Sequence, residues 1–180
     1  MFSNPKETSE QQLGHYLKRF GYFVAIGKPG EKIVTPGASR LYVTDEEWKQ
    51  TVLDLMGESE LVVLQPSRTD GVWWEVEQVF SKAAPGKILL CMVNYFGFQN
   101  DYENFKARME ALHPDRPALP NSIGNERRIV FLGFSENWEP RQYTLQNYWS
   151  ISWLFRGTTA NLAKTLKPFM ENRKAENPAS

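Results

Sequence analysis

The sequence predicts an α/β fold of three layers, a mostly parallel sheet with helices on both faces. Three observations predict it. Four short runs are apolar with almost no polar alternation: Tyr22-Phe23-Val24-Ala25-Ile26, Leu61-Val62-Val63-Leu64, Ile88-Leu89-Leu90-Cys91-Met92-Val93 and Ile129-Val130-Phe131-Leu132. Strands buried on both sides read this way, and parallel sheets bury both sides. The segments between most of these runs carry apolar residues at helical spacing, so strand and helix alternate. Glycine and proline mark most of the junctions.

The elements follow in order. Leu13, Leu17 and Phe20 give a helix over residues 7 to 20, stopped by Gly21. The first apolar run is a strand ending at Gly27, followed by a loop with the pairs Pro29-Gly30 and Pro36-Gly37. Leu41-Tyr42-Val43 is a brief extended piece. Thr44-Asp45-Glu46-Glu47 has the spacing of a capping box, and Trp48, Val52, Leu55 and Met56 follow on one helical face. Gly57 is expected as the left-handed residue closing that helix.

A second strand over residues 61 to 65 leads through Ser67-Arg68-Thr69-Asp70 into a helix over residues 71 to 83, ended by Pro85-Gly86. The third strand covers residues 88 to 93. A helix over residues 100 to 112 ends at His113-Pro114, and residues 113 to 126, with three prolines, read as loop. The fourth strand covers residues 129 to 133. A last helix starts at Thr158 or Thr159 and runs to Glu171. The aromatic stretch of residues 138 to 156, with Tyr143, Tyr148, Trp149, Trp153 and Phe155, fits a helix, an edge strand or an ordered lid.

The chain opens with a helix and no strand before it. In a doubly wound order the first strand is central, and a sheet cannot lose its middle without leaving backbone groups unpaired. The expectation therefore includes a first strand that is missing or replaced. Another sheet order, a strand from residues 143 to 155, or a chain cut just after a strand would each account for it.

A length of 180 residues suits one domain, here residues 1–171, with a polar tail at 172–180. Lysine plus arginine equals aspartate plus glutamate at 21 each. Such a balance gives no broad electrostatic footprint for nucleic acid, and Arg127-Arg128 is too short to supply one. The single cysteine, Cys91, lies in an apolar run and reads as a small buried hydrophobe. One thiol makes no internal disulfide, and no metal-ligand spacing is present. His15 and His113 lie far apart in sequence and read as surface residues. The polar start is not a signal peptide, and no apolar stretch approaches the roughly 18 residues of a membrane span. The expectation is a cytoplasmic domain, or the soluble part of a membrane-associated protein.

The most informative segment is Gly71-Val72-Trp73-Trp74-Glu75-Val76-Glu77. It opens a helix after a buried strand and a short loop, where open α/β sheets hold their ligands. Val72, Val76, Val79, Phe80 and Ala83 form the apolar stripe. Glu75 falls on one border of it and Glu77 on the other. A border position lets a carboxylate enter a cleft, and it equally suits a surface ion pair. Thr69 or Asp70 caps the helix, leaving free amides that can meet a phosphate or ribose oxygen. Trp73 lies nearer the core. Trp74 points to the polar side and is the better stacking surface. The Gly27 to Gly30 turn is short for a phosphate cradle, and Arg40 is a candidate phosphate partner or a surface ion pair.

Three stretches resemble a known family. Phe23-Val24-Ala25-Ile26-Gly27-Lys28-Pro29-Gly30-Glu31, Thr35-Pro36-Gly37-Ala38-Ser39 and residues 61 to 77 are similar to the bacterial Toll/interleukin receptor (TIR)-like domains. They match that family's second strand and glycine turn, its Pro-Gly-x-Ser loop, and its third strand, serine-bearing loop and glutamate helix. The resemblance covers roughly residues 7 to 134. It implies a flavodoxin-like fold, related in shape to nucleoside deoxyribosyltransferases. It also implies cleavage of the nicotinamide–ribose bond of NAD+, or of a related nucleotide, with NAD+ as substrate and no resident cofactor. Glu75 is then the catalytic carboxylate by the bacterial register, and Glu77, four residues after Trp73, by the eukaryotic one. Gly27, Gly30, Arg40, Ser67, Thr69, Asp70 and Trp74 are the nucleotide-binding candidates. The departures are an invisible first strand and a missing Ser-x-x-Trp spacing. The alternative expectation is a noncatalytic self-association or nucleotide-sensing module of a larger, membrane-associated or defence protein.

Overall fold

The computed structural model describes residues 9–27, 39–65, 69–91, 99–121, 129–144 and 165–173. They form an α/β structure of helices and mixed sheets. In chain order the elements are α1 (Ser9–Leu17), β1 (Val24–Gly27), β2 (Ser39–Tyr42), α2 (Asp45–Glu58), β3 (Val62–Leu64), α3 (Asp70–Lys82), a single 3-10 turn (Pro85–Lys87), β4 (Ile88–Cys91), α4 (Gln99–Leu112), β5 (Ile129–Phe134), β6 (Pro140–Thr144) and a helix α5 over residues 165–173. Strands β1 and β2 pair in parallel as one small sheet. The larger sheet has the order β3-β4-β5-β6.

β4 is the centre of that sheet. All four of its residues are buried, as the unbroken apolar run requires. Its side chains alternate between two separate cores. Ile88 and Leu90 join Leu64, Leu132 and Phe134 with Trp73, Val76, Val79 and Phe80 of α3 and Tyr102, Phe105 and Met109 of α4. Leu89 and Cys91 join Phe131 and Tyr143 with Leu13, Tyr16 and Leu17 of α1 and Leu166 and Phe169 of α5. One strand thus buries itself under helices from both ends of the chain.

The sheet is less parallel than the apolar runs suggest. β3 and β4 are parallel, but β5 runs antiparallel to β4, and β6 antiparallel to β5. The reason lies in the segment after α4. His113-Pro114 stops the helix, and the chain climbs back along it. The Leu119 amide donates to the Glu110 carboxylate at 3.0 Å, and the Tyr102 hydroxyl, near the start of α4, donates to the Pro120 carbonyl at 2.8 Å. β5 then starts beside the end of β4, with Phe131 opposite Cys91, and runs in the opposite direction. An apolar run records burial and not direction.

β6 was legible only as one of several alternatives for the aromatic stretch. It is the edge strand, and it closes a hairpin with β5. Within the turn, the Ser135 amide donates to the Glu139 carbonyl at 3.0 Å, and Trp138 takes a left-handed φ of 63°. The rest of that stretch, 145–156, lies outside the described residues, as do Thr158 and Thr159.

Helix α2 begins as the sequence indicates. The Glu47 amide donates to the Thr44 hydroxyl at 3.3 Å. The Glu47 carboxylate accepts from that same hydroxyl at 3.0 Å, in place of the reciprocal backbone bond of a full capping box. Its end corrects the expectation for Gly57, which lies inside the helix with open space where a side chain would go. Ser59 closes the helix instead, in extended conformation, with both its amide and its hydroxyl donating to the Leu55 carbonyl. A serine that bonds back to a carbonyl four residues earlier terminates a helix without left-handed backbone.

Candidate functional site

Helix α3 starts just beyond the carboxyl end of β3, and its first turns hold most of the sequence candidates that are described. Thr69 occupies the N-cap position in extended conformation, but its hydroxyl makes no capping hydrogen bond. Asp70 is already the first helical residue and is exposed. Thr69 therefore fills the cap position without the side-chain capping expected there. The acid in the first turn still favours the helix through the dipole.

Successive residues point about 100° apart around a helix, so each border of α3 has a distinct neighbour. Trp73, Val76, Val79 and Phe80 form the buried face, with Val72 and Ala83 packed at its edges. Trp73 stacks on Phe105 of α4 at 5.5 Å, confirming the core position that its place beside the stripe suggested. Beyond Trp73 on that side, Glu77 meets Arg108 of α4 at 3.0 Å. The same guanidinium lies 4.1 Å over the Trp73 ring. Glu77 is thus committed to a bridge between helices.

Glu75 lies on the opposite border, two residues and about 200° away from Glu77. It is half-buried. One turn before it, Gly71 brings no side chain to this face. Among the described residues, a Cβ placed there would meet Trp48 Cη2, at 3.8 Å. Trp74 is likewise half-buried, against α2: its ring is 5.0 Å from that of Trp48 at 47°, and the Lys49 ammonium lies 5.3 Å from its centre. This corrects the expectation of an outward-facing Trp74. The helical wheel of α3 places Trp74 on the polar side, but Trp48 covers that side from α2.

The remaining candidates divide. Gly27 ends β1, in register with Tyr42, and Arg40 sits in β2 opposite Ala25. Gly30 and Ser67 lie outside the described residues. Thr69, Asp70, Trp74 and Glu75 share the first turns of α3. Sequence reasoning missed Trp48 and Lys49 as neighbours of this face, and Arg108 as the partner of Glu77. Trp48 was assigned to the apolar face of α2, and nothing in a single sequence pairs one helix face with another.

A second polar cluster lies at the far end of α3. Arg116 donates to the Phe80 carbonyl at 2.7 Å and stacks 3.4 Å over Trp138. Its other terminal nitrogen is buried without a hydrogen-bond partner among the described residues. Burial pushes the Arg116 and His113 pKa values down, and for His113 the Arg116 charge adds to the effect. His113 is half-buried and stacks on Phe80 at 6.3 Å, so the surface histidine expected is packed on one side. Among the described residues no cluster of three metal-ligating side chains occurs, and no helix is long and apolar enough to cross a membrane.

No family model matches the chain, and neither the curated proteins nor the solved structures give a match.

Proposed function

We propose that this chain is a TIR-like domain of flavodoxin type that hydrolyses the N-glycosidic bond of NAD+ or a related nucleotide, with Glu75 as the working carboxylate. One observation carries the reading. Glu75 is half-buried in the second turn of α3, one turn after Gly71 and just beyond the carboxyl end of β3, where an open α/β sheet holds its ligands.

The chemistry requires little more. As the bond between ribose C1′ and the pyridinium nitrogen breaks, its electron pair leaves with nicotinamide and cancels the ring charge. Positive charge grows on the ribose, and a partly desolvated carboxylate stabilises it. Water then bonds to C1′ and gives its proton to solvent. The leaving group needs no acid, so one glutamate suffices. Thr69 and Asp70 are exposed in the adjoining turn, and the first amides of α3 there are the groups that would meet ribose or phosphate oxygens. Incubation of the purified chain with NAD+, followed by chromatographic detection of nicotinamide, tests the reading. Release is expected, and its loss in Glu75→Ala. Silence of wild type and variant alike, including at concentrations that drive self-association, would remove it.

A second reading rests on a different surface. Tyr22, Val24, Leu41 and Tyr42 on and beside the β1–β2 sheet are exposed, Tyr22 at 99%. Leu41 and Tyr42 are consecutive in β2 and so lie on its two faces, and exposed apolar residues on this small sheet support a self-associating, noncatalytic module. Sedimentation showing ligand-dependent assembly without nicotinamide release would favour it.

A further inference from the structure

The side chains around Arg116 join three parts of the chain. The Arg116 guanidinium donates to the Phe80 carbonyl at 2.7 Å and lies 3.4 Å over Trp138. Trp138 stacks in turn on Phe80 at 5.6 Å and leans on Phe134 at 5.7 Å. Its backbone sits at φ 63°, a region that bulky residues rarely adopt without support. The rings and the guanidinium supply that support, so the turn between β5 and β6 depends on the cluster. The cluster is also finely balanced, because one terminal nitrogen of Arg116 is buried without a hydrogen-bond partner among the described residues. His113 stands beside it. Its ring stacks on Phe80 at 6.3 Å, and the Arg116 amide donates to the His113 carbonyl at 3.1 Å, which fixes both side chains to one turn.

We infer that this cluster is an acid-opened clasp on the β5–β6 hairpin, with His113 as its sensor. A neutral imidazole sits beside the guanidinium at no electrostatic cost. A protonated one places a second cation on the same turn, in a half-buried position where neither charge is well screened. Burial and Arg116 both disfavour that charge, and the exposed Asp115 opposes them with the smallest effect. The other charged groups of the packed elements do not neutralise it. On α4, Glu110 is taken up by Lys106 and by the Leu119 amide. Lys82 of α3 and Glu136 and Glu139 of the hairpin turn are exposed. Protonated His113 therefore gains by turning into water. The turn that it shares with Arg116 moves with it, and the guanidinium leaves the Phe80 carbonyl and Trp138. Trp138 then relaxes from its left-handed conformation and the hairpin turn opens, while β4 and the two cores stay folded.

Native-state hydrogen exchange of the full chain in a pH series tests the clasp, with rates corrected for the intrinsic effect of pH on exchange. The Ser135, Trp138 and Glu139 amides, bonded within the turn, report on the hairpin, and the amides of β4 report on the core. Protection of the turn amides is expected to fall about tenfold from about pH 7 to about pH 5, while β4 keeps its protection. His113→Phe keeps a ring without the proton, and His113→Gln removes the charge without depending on the fit of a ring. Turn protection in both variants is expected to stay flat across the series. Wild-type turn protection that does not change with pH, or that falls only in step with β4, overturns the inference. So does a fall of wild-type size in His113→Phe and His113→Gln.

Discussion

Arg108 holds Glu77 at 3.0 Å and lies at the same time 4.1 Å over the Trp73 ring. The pair is half-exposed, at 46% and 35%, so its contribution to stability is modest, about 0–1 kcal/mol. Its consequence for the site is larger. It fixes Glu77 on the border of α3 that faces α4. Glu77→Gln is expected to leave nicotinamide release within about twofold of wild type and to cost no more than about 1 kcal/mol in urea denaturation.

Arg116 ties three elements together at the opposite end of the sheet. It bonds the Phe80 carbonyl in the last turns of α3, follows α4 in sequence, and stacks on Trp138 of the β5–β6 turn. A hydrogen bond from a charged donor to a part-buried carbonyl is worth about 1.5–3 kcal/mol, and the stacking adds to it. The partnerless buried nitrogen works against that gain. Arg116→Ala is expected to destabilise by about 2 kcal/mol, with the α3 end and the hairpin losing hydrogen-exchange protection together.

Gly133 is confined by its neighbours. A Cβ there would sit 3.0 Å from Phe169 Cε2 and 3.3 Å from Tyr143 Cε2, and those two rings pack edge-on at 5.5 Å. The added methyl must push the Phe169 ring of α5 outward. Gly133→Ala is expected to cost about 1–3 kcal/mol, the usual penalty of overpacking, measured as a fall in the denaturant midpoint. Gly57→Ala, inside α2 with open space around it, is expected to stabilise by about 1 kcal/mol.

The sequence carried burial well and direction poorly. The run at residues 88 to 91 announced a strand covered on both faces, and β4 is that strand. Thr44 and Glu47 announced the start of α2 through chemistry local to four residues. The reversal of β5 depends on contacts between Tyr102 and Pro120, eighteen residues apart, which no local pattern encodes. The site shows the same division. The border positions of Glu75 and Glu77 followed from helical periodicity alone. That Glu77 bridges to Arg108, thirty-one residues away and on another helix, did not. The cover over Trp74 likewise came from α2.

The acid limb of stability is expected to show His113. Its folded-state pKa is held below the ordinary imidazole value of 6.5, first by burial and then by Arg116, with Asp115 opposing. The unfolded chain therefore binds a proton more readily than the folded one. The contribution is fully present above about pH 6.5 and is lost as pH falls from there through the depressed folded value. His113→Phe keeps a ring against Phe80 and is expected to flatten stability across that window in denaturation series at stepped pH. Glu110 acts lower. Its pKa is held below the ordinary glutamate value of 4.5 chiefly by the hydrogen bond from Lys106, so its contribution is present above about pH 4.5 and lost below.

The central claim is that the two glutamates of α3 have unequal roles, and paired kinetics test it most directly. Nicotinamide release from NAD+ is measured for wild type, Glu75→Gln and Glu77→Gln at matched concentration, with folding checked by circular dichroism. The account predicts that Glu75→Gln falls at least a hundredfold while Glu77→Gln retains activity, a gap of about 2.7 kcal/mol in the barrier. Equal activity in wild type and Glu75→Gln, or a loss confined to Glu77→Gln, would contradict it.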